Sequence, residues 1–116
     1  HNFLIGFTEK LVNYIRTAET RSEHIAKALD KLAEEGKDVA ALKESLKGAT
    51  AMIADAKAML KADKDKLASN EDISFEQIRA DLKAVFQKID AAYEQFKSIV
   101  TQAKVLKGET KNESEE

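Results

Sequence analysis

No cysteine, proline or tryptophan occurs among the 116 residues, and there are only four glycines. Without cysteine the chain holds neither a disulfide framework nor a thiolate metal site. Without proline, and with so little glycine, it lacks the turn chemistry that a β-sandwich or barrel needs. No run of about 18 apolar residues occurs, so no segment is a candidate membrane span. An excess of one charge is missing too: 19 Lys and Arg against 21 Asp and Glu give a net −2. That balance argues against a nucleic-acid or polyanion binder. What remains is a single-domain length, 43% hydrophobic and 34% charged, the composition of an amphipathic helical protein.

The apolar residues recur at alternating steps of three and four. One stripe reads Leu4, Thr8, Leu11, Ile15, Ala18, Ser22, Ile25, Leu29, Leu32. A second reads Val39, Leu42, Leu46, Ala49, Ile53, Ala56, Leu60, Asp63, Leu67. A third reads Ile78, Leu82, Val85, Ile89, Ala92, Phe96, Ile99, Ala103, Leu106. Of these 27 positions 24 are apolar, where chance at this composition gives about 12. A seven-residue repeat of this kind is a helical seam facing partner helices, with coiled-coil-like packing.

Local signals divide the stripes. Gly36 follows Glu34-Glu35 and suits the left-handed residue that closes a helix, and Asp38 is placed to cap the next. Ser69-Asn70-Glu71-Asp72 breaks the rhythm and reads as a loop. Ser74-Phe75-Glu76-Gln77 has the form of a capping box, with Ile73 and Ile78 at staple positions, and Gly108 closes the last helix. The spacing predicts helices over 3–35, 39–68 and 75–107, each about 45 Å long at about 1.5 Å per residue. Short connections make successive helices antiparallel. The expected fold is all-α: an up-down-up three-helix bundle over 1–108, followed by a disordered acidic tail over 109–116, which has four acids, one Lys and no apolar residue. Ala18, Ala49, Ala56, Ala92 and Ala103 allow close helix approach, and Gly48 points the same way. Phe86, Tyr93 and Phe96 are expected to fill the core space opposite.

A search for reactive groups finds little. The two histidines are His1 and His24. Within one turn of His24 stand Thr20, Arg21, Lys27 and Ala28, with no second metal ligand among them. The Glu-x-x-His pairs of di-iron bundles are absent, as is His-x-x-x-His. The serines have no base relay, and no glycine-rich phosphate loop occurs. No catalytic residue, cofactor, metal or small-molecule substrate is therefore expected, and the chain reads as a non-enzyme.

Three features carry the remaining interest. Asp63 is the one acid on a stripe, and either an end-of-bundle ion pair with Arg79 or Lys10 or an exposed position where the stripe frays is expected for it. Lys57, Lys61, Lys64 and Lys66 form a basic cluster at the end of the second helix, where cations complement the helix dipole. No aromatic residues interleave there to stack bases. The cluster Phe3, Leu4, Ile5 and Phe7 is apolar around much of the helix. Either it folds over the bundle end onto Leu67 and Phe75, or it is an exposed patch that docks a protein partner, a second copy or a membrane surface.

The run Arg21 to Leu42, with Ile25-Ala26-Lys27, Leu29-Asp30-Lys31-Leu32, Gly36 and Asp38-Val39, resembles a family of small exported bacterial helical proteins without assigned function. Ile53-Ala54-Asp55-Ala56-Lys57-Ala58 and the helix after Ser74 extend the resemblance to about three quarters of the chain. It implies an all-α bundle and export, secreted, periplasmic or at the cell surface, and brings no catalytic residues. The opening on His1 rather than Met fits a removed signal peptide, and equally a tag remnant; a cytoplasmic location stays open. The expected function is a non-enzymatic structural or protein-interaction module that self-associates through its apolar N-terminus. The alternative is lipid or amphiphile binding, or membrane-surface association, by the amphipathic helices.

Overall fold

The computed structural model describes residues 2–69 and 72–108. They form three α-helices, α1 (Asn2–Glu34), α2 (Ala40–Ala68) and α3 (Phe75–Lys107), with no strand among the described residues. These bounds lie within one residue of the predicted ones. The tail over 109–116, with Asn70 and Glu71 of the second connection, lies outside the described residues.

Each helix end shows why it stops or starts there. At Gly36 the backbone turns left-handed, with φ 87°. Gly36 N–H donates to the Ala33 carbonyl and Lys37 N–H to that of Leu32, both at 3.0 Å. This pair of bonds satisfies carbonyls that the end of α1 would leave bare, and a side chain at Gly36 would strain the turn. Asp38 Oδ1 accepts from Ala40 N–H at 3.2 Å, but the residue at the cap of α2 is Val39, with no side-chain cap; the expected capping by Asp38 is thus reduced to one bond from the position before it. Ser74 Oγ accepts from Gln77 N–H at 3.2 Å, the forward arm of the expected capping box, while Gln77 Nε2 donates to Asp81 Oδ1 at 3.0 Å. Gly108, at φ 92°, closes α3.

Contacts between helices fix their directions. Between α1 and α2, Glu19 meets Lys57 at 2.9 Å and Asp30 meets Lys43 at 3.1 Å. As α1 advances, its partners on α2 recede, so the pair is antiparallel. Between α2 and α3, Gln95 Nε2 donates to the Ser45 carbonyl at 2.7 Å, and Asp55 lies 3.7 Å from Lys88, again antiparallel. Hence α1 and α3 run the same way, an up-down-up bundle in a rod of 61 × 27 × 17 Å. These surface ion pairs are exposed and contribute at most about 1 kcal/mol each.

Stability comes from the stripes. Every buried residue among those described lies on one of the three. Burying each large side chain contributes about 1.5–3 kcal/mol, and Phe96, Leu11, Leu29, Ile78, Leu82, Ile89 and Ile99 are among the most completely enclosed. Ala18, Ala49, Ala56 and Ala92 are fully buried and let the helices close on one another. Four stripe positions are only half-buried: Ser22, Leu67, Ala103 and Leu106. Leu67, Ala103 and Leu106 sit near the bundle ends, and Ser22 shares a 3.0 Å hydroxyl contact with Thr50. Phe86 departs from the expected core: it is 41% exposed, because it stands on the flank of α3, one position past the stripe residue Val85.

Candidate functional site

The surface with most to offer a partner is the seam where α1 and α3 lie side by side. Two helices running in the same direction keep equal steps in register, so rows of seven on each stay opposed. Phe7 and Tyr14 form such a row on α1, and Phe86 and Tyr93 on α3. The Tyr14 and Tyr93 rings stack with centroids 5.0 Å apart and planes 12° apart. Phe86 lies 5.8 Å from Tyr14, and Tyr93 meets the core residue Phe96 edge-on at 5.6 Å. Each such ring pair adds about 0.5–1.5 kcal/mol to the area it buries. Tyr14 was not singled out from the sequence. The legible signal was its spacing of seven from Phe7, matched by that of Phe86 and Tyr93.

The hydroxyl of Tyr14 donates to Asp90 Oδ1 at 2.6 Å. Burial, and then the bond to Asp90, hold this phenol well above its ordinary value. Burial also raises Tyr93, against the opposing charge of Arg21. Both phenols therefore stay protonated near neutral pH, and that of Tyr14 acts as a donor.

At the start of α1 the four apolar residues separate. Leu4 is 2% exposed and belongs to the core, which corrects its placement in a partner-binding patch. Its position on the stripe is the reason. Phe3 is 68% and Ile5 38% exposed, while Phe7 is half-buried, 6.1 Å from the ring of Phe3. Phe7 also shares a shallow depression with Tyr14 and Phe86, so the exposed ring of Phe3 continues into the aromatic seam. Of the two residues expected beneath this cluster, Leu67 is half-buried and Phe75 stays largely exposed. Thr8, on the stripe one turn on, is buried and turns its hydroxyl to the Ile5 carbonyl at 2.6 Å.

Asp63 corrects a second expectation. It is 2% exposed, and its Oδ2 has no hydrogen-bond partner among the described residues. Neither Arg79 nor Lys10 forms an ion pair with it among those residues. The group that acts on it across the helix pair is Asp81. Burial, and then the charge and hydrogen bond of Asp81, raise the Asp63 carboxyl from 3.8 to about 6, with Lys66 opposing. The antiparallel pairing of α2 with α3 sets Asp63 against the first turns of α3, and the flank residue there that faces it is Asp81, not Arg79.

The other features resolve into surface chemistry. Lys57 is paired with Glu19 and Lys61 with Asp65, which neutralises half of the basic cluster. His24 is exposed. No group of three or more His, Asp or Glu among the described residues is arranged to hold a metal, and no helix there is long and apolar enough to cross a membrane. Ser45 accepts from Gln95 and Ser98 from Gln102. No family model, curated protein or solved structure matches the chain.

Proposed function

We propose that this chain is a non-enzymatic structural or protein-interaction module that associates with a second copy through the apolar start of α1. The observation that carries the reading is the exposure of Phe3 and Ile5 beside a core that is complete without them. A large ring two-thirds in water is unfavourable for an isolated rod and favourable once covered. The contact surface is Phe3, Ile5 and Phe7, continued by Phe86; Leu4 acts from beneath as the anchor of the turn. Export is part of the reading, supported by the family resemblance of the sequence, and fractionation of the native host's cells tests it.

Sedimentation from low to high micromolar concentration tests the association. The expected result is a reversible increase in mass that Phe3→Ser with Phe7→Ser abolishes, while circular dichroism stays helical. A chain monomeric throughout that range, unchanged by the substitutions, removes self-association.

A further inference from the structure

We infer that the start of α1, residues 2–11, is an acid-held latch, closed over Asp63 while that carboxyl keeps its proton and released when the proton leaves. Asp63 is buried, with Oδ2 unbonded among the described residues. Continued along the rod, the ion pairs of α1 with α2 bring about positions 10–13 of α1 to its level. The contacts of α2 with α3 bring about positions 77–80 of α3 there. Each helix presents its charges differently. From α3, half-buried Asp81 repels the carboxylate, and Arg79 is exposed. From α2, Lys66 opposes the effect of burial, while Lys64 and Asp65 are exposed. From α1, Thr8 and Leu11 are buried at this end, with Glu9 and Lys10 exposed between them. The Thr8 hydroxyl is spent on the Ile5 carbonyl, and neither Arg79 nor Lys10 forms an ion pair with Asp63 among the described residues.

A charge formed in that layer is relieved when water reaches it, and the element that moves is the one held least firmly. That element is α1. Before Leu11 only Leu4 and Thr8 are buried on it, and one of the two is polar. Gly6 stands in its second turn, where glycine disfavours a helix. No acid stands in its first turn to meet the helix dipole. The other two elements are held. α3 opens on the Ser74 cap with Glu76 in its first turn, and Ile78, Leu82 and Val85 are enclosed. α2 ends on Ser69, whose N–H and hydroxyl both reach the Lys66 carbonyl, and the 69–74 connection ties it to α3. Release of α1 hydrates Asp63 and uncovers Leu4 beside Phe3, Ile5 and Phe7. The latch thereby regulates the contact surface proposed above, and only that consequence rests on that reading; the latch itself is a property of one chain.

Amide hydrogen exchange of the whole chain tests it, read by NMR as protection factors at pH 4 and pH 7, at a concentration where the chain sediments as a monomer. In the closed state the carboxyl titrates near 6 and in water near 3.8, so ionisation raises the open population by at most about a hundredfold. Protection over residues 6–12 should fall by about tenfold to a hundredfold from pH 4 to pH 7 in the parent and stay level in Asp63→Asn. At pH 7 it should lie below that of residues 58–64 and 80–86. Gly6→Ala, whose Cβ meets nothing within 4 Å, should raise protection over 6–12 by up to about fivefold at both pH values. Protection over 6–12 that ignores pH, that falls equally in Asp63→Asn, or that gains nothing from Gly6→Ala would overturn the inference. So would equal protection of all three segments at pH 7, which is global unfolding, or lower protection over 58–64 or 80–86, which assigns the release to α2 or α3. A chain that stays monomeric at every concentration leaves these outcomes unchanged and removes only the association.

Discussion

Replacing Asp63 with Asn should stabilise the bundle at neutral pH and flatten its response to acid. In the unfolded chain this carboxyl gives up its proton near its ordinary value of 3.8, and in the folded chain near 6. Below about pH 4 both states hold the proton and folding carries no charge penalty. Between about pH 4 and 6 the unfolded state ionises first, so it binds fewer protons than the folded state and stability falls as pH rises. Above about pH 6 both are ionised and the full penalty is present. A difference of about two pKa units, at about 1.4 kcal/mol each, sets it near 3 kcal/mol. Asp63→Asn removes the charge at every pH with almost no change of shape, and its new amide can donate to the Asp81 carboxylate. Urea denaturation followed by circular dichroism, at pH 4 and pH 7, checks this, since urea leaves ionic strength unchanged. The variant should gain about 1–3 kcal/mol at pH 7 and little at pH 4. A variant less stable than the parent at pH 7, or one with the same slope between the two pH values, would refute the assignment of Asp63 as a buried, uncompensated carboxylate.

Gly48→Ala should stabilise α2 by up to about 1 kcal/mol in the same assay, through helix propensity. A Cβ there meets only the far end of Gln95, 3.4 Å away, and a loss of stability would show that the Gln95 bond to Ser45 cannot yield. Phe96→Ala, at a fully enclosed ring that Tyr93 meets edge-on, should cost about 3–5 kcal/mol; a loss below about 1 kcal/mol would mean that the bundle collapses around the gap.

The stripes made the fold legible because one physical variable, the seven-residue period, decides which face is buried, and no buried residue among those described falls off them. Helix ends were readable for a similar reason: Gly36, Ser74 and Gly108 act through their own backbone neighbours. Legibility failed where the answer depends on how far each helix is turned about its axis. Asp63 was visibly on a stripe, but whether Arg79 or Asp81 faces it is a choice between flank positions that periodicity does not make. Phe86 sits one residue off its stripe and so leaves the core for the seam with Tyr14.

That α1 and α3 run in the same direction also shapes how the chain assembles. Tyr14 and Asp90 are 76 positions apart, and no hairpin can bring them together; the whole of α2 must first cross the rod. Closing so long a loop is entropically costly, so the two antiparallel neighbour pairs, α1 with α2 and α2 with α3, should form before α1 meets α3. A terminal helix such as α1 can leave without breaking the other pair, and its departure uncovers the apolar rows of both remaining helices along their full length. At high concentration the α1 of another molecule fits that vacancy as well as the chain's own, which makes helix exchange a route to dimers with no new interface.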